Sequence, residues 1–173
     1  MDKKVEVVYA FIDSQNLNLG VKSLGWELDW RKFRQYLRNK YNVSKAFLFI
    51  GEKRGNEKLY VSLRKNGFIV ILKPAIILSD GTVKGNVDAE LVLHAMIEYP
   101  NYSKAIIVSN DGDFHCLAEY LLQNDKLLHL ITPNKRYSQV LKRFSRFIVR
   151  VDQLKGSLEY VKKTTGIGGR SKP

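Results

Sequence analysis

The chain has 173 residues, 45% of them hydrophobic, which is enough for one domain with a sizeable core and too apolar for a disordered protein. A single cysteine excludes an internal disulfide, no Cys/His spacing suits zinc, and the most apolar stretch, 68–78, is broken by Lys73-Pro74 and too short to cross a bilayer. Lys and Arg number 29 against 17 Asp and Glu, a formal charge of +12 that suits a polyanionic partner or, more blandly, mere solubility.

The chain opens with Met1-Asp2-Lys3-Lys4 and runs directly into a strand-like stretch, 5–12, with no signal-peptide pattern, so a reducing cytoplasm is the expected compartment. That stretch is nearly all apolar and β-branched, as a strand covered on both faces must be. A helix is expected over 30–39, with Trp30, Phe33 and Leu37 at i, i+3 and i+7 and Asp29 as N-cap. A second strand follows at 45–50, then a helix over 56–65 stopped by Asn66-Gly67, and a third strand at 68–72 ended by Pro74. Asp80-Gly81 reads as a tight turn, 87–98 as a helix stopped by Pro100, and 105–108 as the fourth strand. A helix over 113–123, a fifth strand at 127–131, a short helix over 138–144 and an edge strand at 147–151 complete the set. Alternating β and α of this kind gives a three-layer α/β fold, a mostly parallel sheet of about five or six strands with helices on both faces. Residues 1–160 form the expected domain, and 161–173, rich in Lys and Gly, a flexible basic tail.

The basic residues are clustered. Eleven lie between Arg31 and Lys65, against only Glu52 and Glu57, and six lie between Lys135 and Arg150 with no acid among them. Arg31, Arg34, Arg38, Lys53, Arg54, Arg136, Arg143 and Arg146 are candidates for guiding a nucleic-acid strand, and Trp26 and Tyr137 for stacking on bases, although surface or core filling accounts for any one of them.

The acids carry the chemistry. Asp13 follows the first strand directly, at the carboxyl end where open α/β sheets bind ligands, and Asn16 lies three residues on. The fourth strand ends the same way, in Ser109-Asn110-Asp111-Gly112-Asp113, with Gly112 expected to let the backbone turn sharply. If the two strands are neighbours, Asp13, Asp111 and Asp113 converge. Asp88 falls in the first turn of its helix, and the inward stripe of Leu91, Val92 and Ala95 turns it towards the sheet. Taken singly, Asp13 and Asp113 read equally well as N-caps, Asp88 as a partner of the helix dipole, and Asp111-Gly112-Asp113 as a turn. Taken together, four carboxylates in one pocket require a counter-charge, and a hard divalent cation, Mg²⁺ or Mn²⁺, supplies it.

The segments Phe11-Ile12-Asp13-Ser14-Gln15-Asn16, Lys84-Gly85-Asn86-Val87-Asp88 and Val108-Ser109-Asn110-Asp111-Gly112-Asp113-Phe114 resemble, in order and spacing, the signature segments of NYN domains. These are PIN-like nucleases that include the LabA-like bacterial proteins, and the resemblance spans about residues 5–152. It implies a PIN-like fold and a metal-dependent ribonuclease. Asp13, Asp88, Asp111 and Asp113 would be the metal cluster, Asn16 the polar companion of the first aspartate, and Ser109 a hydrogen-bonding support or substrate contact. Asn110 stands where the family commonly has glycine, Cys116 where proline is frequent, and His94 where many relatives carry an acid.

The expected reaction is phosphodiester hydrolysis of RNA, single-stranded rather than duplex, with Lys84 as a phosphate contact or a solvated loop lysine. Homodimer formation is left open, and no membrane role is expected. A haloacid dehalogenase phosphatase needs an acid where Gln15 stands, and a topoisomerase-primase domain needs an earlier glutamate. The serious rival is a PIN-like module that binds RNA or a protein without cutting. His115 beside Cys116 lacks an orienting third group, and His94 and His129 read as packing residues.

Overall fold

The structure is a computed structural model that describes residues 6–74, 76–77, 79, 83–84 and 86–162. The Asp80-Gly81 turn and residues 163–173 of the expected tail lie outside the described residues, as does the side chain of Lys84. Six strands form one wholly parallel sheet in the order β3-β2-β1-β6-β7-β8: β1 Val8–Asp13, β2 Val43–Gly51, β3 Ile69–Lys73, β6 Lys104–Val108, β7 Leu127–Thr132 and β8 Ile148–Arg150. Every residue of β1 is buried, which explains its unbroken apolar run. The short strands β4 Ile76–Ile77 and β5 Val83–Lys84 pair antiparallel as a separate ribbon that was not anticipated.

Strand order reverses at β1, with β2 on one side and β6 on the other. Helices α1 Ser14–Lys22, α2 Trp30–Tyr41, α3 Glu57–Lys65 and α6 Lys155–Leu158 lie on one face. Helices α4 Asp88–Ile97 and α5 His115–Gln123 lie on the other. Alternate residues of β1 enter the two cores, Ala10 and Ile12 the first and Tyr9 and Phe11 the second. Full burial of a side chain such as Phe11 contributes roughly 1.5–3 kcal/mol.

Local chemistry accounts for most boundaries. Asp29 caps α2 by accepting from the Lys32 N–H at 3.0 Å, and Asn42 closes the helix in the left-handed region at φ 55°. Gly67 ends the α3 segment at φ +92°, where a side chain would be strained.

Two elements differ from expectation. Residues 14–22 form a helix although their sequence is rich in polar residues and carries Gly20. Leu17 and Val21 bury its inner face, and a Cβ on Gly20 would stand 2.4 Å from Pro133 Cγ, so glycine is needed there for close approach. The short helix expected at 138–144 is a 3₁₀ segment, Gln139–Phe147, in which Leu141, Phe144 and Phe147 recur every third residue and align on one face.

Candidate metal centre

Strands β1 and β6 are adjacent and parallel, with Ile12 paired to Val108, so their carboxyl ends open into one crevice at the switch point. Asp13 is the last residue of β1, Asp111 follows β6 by three positions, and Asp88 begins α4. A cavity of about 240 Å³ lies between them, lined by Asp13, Asn16, Asn86, Asp88 and Asp111 among others. Carboxylate oxygens of Asp88, Asp111 and Asp113 lie within 4.8 Å of one another. Asp13 stands outside that trio but lines the cavity with Asp88 and Asp111, deeper in, at 7% exposure. Asp113 is exposed at the outer rim.

The acids are held by local hydrogen bonds. Asp13 caps α1, accepting from the Asn16 N–H at 3.1 Å, so it is both the N-cap of one reading and the cavity wall of the other. Asp111, not Asp113, caps the 3₁₀ turn Gly112–Phe114, accepting from the Asp113 N–H at 2.9 Å. Ser109 is buried, and its hydroxyl accepts from the Asp111 N–H at 3.1 Å. It therefore supports the loop that bears Asp111. Asn86 accepts from the Asp88 N–H at 2.7 Å and donates to the Asp88 carboxylate at 2.6 Å. This Asx turn was missed, although Asn two residues before Asp is a usual signal for one.

Gly112 has a different role from the one expected. Its φ is not positive. A Cβ there would stand 2.4 Å from Ser138 Oγ and 2.7 Å from Val140 Cγ2, so glycine is required because the 3₁₀ segment packs directly onto this turn. Asn110, whatever the family carries there, has a bonding role in this chain. Its N–H donates to Asn16 Oδ1 at 2.9 Å, its Oδ1 accepts from Asn16 Nδ2 at 2.6 Å, and its own Nδ2 donates to the Arg136 carbonyl at 3.0 Å. Asn16 is thereby a clamp between the β1 and β6 loops.

Crowded acids resist ionisation. Burial, reinforced by the Asp88 and Asp111 carboxylates, pushes Asp13 up to about 6 against the opposing Asn16 N–H. Burial likewise raises Asp88, with Asp111 and Asp113 adding to the effect and the Asn86 hydrogen bond and Lys73 opposing it. Lys73 bonds to the Asn86 carbonyl and pairs with Glu90 at 3.0 Å, so it is committed to the neighbouring wall. An all-carboxylate oxygen set fits a hard divalent cation. Asp88, Asp111 and Asp113, with oxygens within 4.8 Å of one another, are the residues that would hold it.

Several of the other candidates lie elsewhere. Trp26 is buried at 5% exposure and has no face free for a base. Arg34 donates to the carbonyls of Gly67, Val43 and Ser44, at the amino ends of β2 and β3, opposite the acids. Arg143 pairs with Glu119. His94 packs edge-on to Phe49, and His129 lies 4.7 Å from the Tyr41 ring, as packing histidines should. His115 and Cys116 each bond to a backbone carbonyl of the preceding turn, Gly112 and Asp113, and form no dyad. Among the described residues no helix is long and apolar enough to cross a membrane.

The model of the NYN domain family matches residues 7–155. The chain is 22% identical over 159 residues to the low amplitude and bright protein LabA of Synechococcus elongatus, covering 86% of each protein. A crystal structure of a protein of unknown function from Vibrio parahaemolyticus superposes with a TM-score of 0.79 at 24% identity, over 92% of this chain and 99% of that one. The architecture is thus the three-layer PIN-like α/β fold.

Proposed function

This chain belongs to the NYN domain family, and we propose that it is a metal-dependent ribonuclease that hydrolyses RNA phosphodiester bonds in the cytoplasm. The observation that carries this is the approach of Asp88, Asp111 and Asp113 oxygens to within 4.8 Å at the carboxyl edge of the sheet, with Asp13 beside them in the same cavity. A cluster of that charge is of little use to a folded domain without a cation, since each acid makes its neighbours harder to ionise. The family is one of nuclease-like proteins, and the +12 charge suits a polyanionic substrate.

Asp88, Asp111 and Asp113 would hold Mg²⁺ or Mn²⁺, which supplies Lewis acidity to a phosphoryl oxygen and to a water. Asp13, buried beside the trio in the same cavity, would as a carboxylate accept the proton of the attacking water. Asn16 and Ser109 keep the Asp111 loop in register with β1 and act as positioning residues. Lys84 is proposed as a phosphate contact, since its strand ends two positions before Asn86, which lines the cavity.

The deciding experiment incubates labelled single-stranded RNA with the protein in EDTA, Mg²⁺ or Mn²⁺, beside Asp111→Asn. The expected result is cleavage with metal only, lowered about 100-fold or more in the variant. RNA binding with no cleavage in any metal would instead assign a non-catalytic binding module.

A further inference from the structure

The acidic cavity has a neighbour. A second cavity, of about 200 Å³, opens on the other side of the α1 amino terminus, and Gln15 and Leu19 line both, so the two are contiguous. The second holds no carboxylate. Its apolar wall includes Trp30, and its polar lining is Ser14 and Lys53 with the amides of Gln15, Asn18 and Asn56.

Three features suit this cavity to a flat heterocycle. The Trp30 indole is half-buried and fixed by edge-to-face contacts with Phe33 and Phe68, at 6.3 and 5.9 Å, so it presents a rigid surface at little entropic cost. Asn56 occupies the N-cap position of α3 yet makes no capping hydrogen bond with its side chain, and among the described residues its amide takes no protein partner. Among the described residues the Gln15 and Asn18 amides also take no protein partner, and amides, carrying donor and acceptor together, are the groups that read a base edge.

We infer that the cavity lined by Trp30, Asn18 and Asn56 is a nucleobase pocket. It takes one unpaired base of the strand whose phosphate enters the acidic cavity, and Lys53 stands by the backbone. The inference rests on the ribonuclease reading for its substrate, and it gives a physical cause for single-strand selectivity, because a base held in a duplex cannot enter.

The test needs no metal and no turnover. In Trp26→Phe protein, Trp30 is the sole tryptophan, and its fluorescence is followed in EDTA while a single-stranded RNA pentamer is added. A second pentamer, of the same ribose-phosphate backbone without bases, is titrated as a competitor that must displace the first and restore the fluorescence. The expected result is saturable quenching by the first and at least about tenfold weaker binding of the second, in line with the contribution of a stacked base. Asn18→Leu with Asn56→Leu should weaken the first titration by a similar factor, with Asn56→Ala alone as the milder variant. Equal binding of the two pentamers, or amide variants with no effect, would overturn the pocket. Cleavage in Mg²⁺ or Mn²⁺ is scored separately. A protein that quenches with bases but never cuts would retain the pocket and lose the ribonuclease.

Discussion

Asn16 and Asn110 exchange two hydrogen bonds, side chain to side chain at 2.6 Å and backbone N–H to side chain at 2.9 Å, and so tie the loop that bears Asp111 to the end of β1. Asn110 cannot turn its amide over to suit a new partner, because its Nδ2 also holds the Arg136 carbonyl. Asn16→Leu should therefore leave unpaired groups on Asn110 and cost about 2 kcal/mol, read as a fall in denaturant midpoint at constant slope. Asn16→Asp keeps an acceptor for the Asn110 N–H but sets an oxygen against Asn110 Oδ1 and adds charge beside four acids. Without a divalent cation it should be less stable than the wild type. Added Mn²⁺ should narrow that gap.

Gly112 separates two of the acids, and the space above it is filled. A Cβ would meet Ser138 Oγ at 2.4 Å and Val140 Cγ2 at 2.7 Å. Gly112→Ala must push the 3₁₀ segment away or twist Asp111 and Asp113 apart. The expected cost is about 1–3 kcal/mol, as for other overpacked sites, with weakened Mn²⁺ binding by calorimetry. Ser138→Gly in the same chain removes the nearer obstruction and should recover part of both losses. If Gly112→Ala is neutral in stability and in metal affinity, close packing is not the reason for glycine here.

The sequence disclosed the sheet because β1 and β6 are buried on both faces and their apolar runs are continuous. It disclosed the acids because each sits at a strand end or helix start, positions that topology alone brings together. It hid α1, whose polar residues line the cavities and whose glycine answers to Pro133, a contact 113 positions away in sequence. It likewise hid the meaning of Asn110, since a side chain that clamps a distant loop looks locally like a poor substitute for glycine. Close approach between remote segments leaves no periodicity to read. The depth of Asp13 relative to the other three was also out of reach, because order along the chain says nothing of burial.

Asp13 gives the centre a pH signature. Its carboxyl titrates near 6 in the folded protein and near 3.8 when exposed, so between those values the folded state holds the extra proton. Stability in EDTA should then fall as pH rises from about 4 to 6 and level off above, by on the order of 3 kcal/mol at most. Asp88, shifted the same way, adds to the slope. Asp13→Asn keeps a good N-cap and removes the titration, so the difference between the two stability profiles isolates it. A divalent cation needs the ionised acids and should raise the wild-type melting temperature more at pH 7 than at pH 5. A larger gain at pH 5 would contradict carboxylate ligation.

Arg34 offers the contrast that separates fold from chemistry. Its guanidinium forks onto three carbonyls, Gly67 at 3.0 Å and Val43 and Ser44 at 3.2 Å each, and fastens α2 to the starts of β2 and β3. A lysine ammonium cannot reproduce that planar fork, so Arg34→Lys should destabilise by about 1.5–3 kcal/mol despite keeping the charge. The acids lie at the other end of the same strands. In protein still folded at the assay temperature, Mn²⁺ affinity and any metal-dependent cleavage should match the wild type. If Arg34→Lys weakens metal binding as much as Gly112→Ala does, losses at the centre report general loosening of the domain, and the local account of the acidic loop fails.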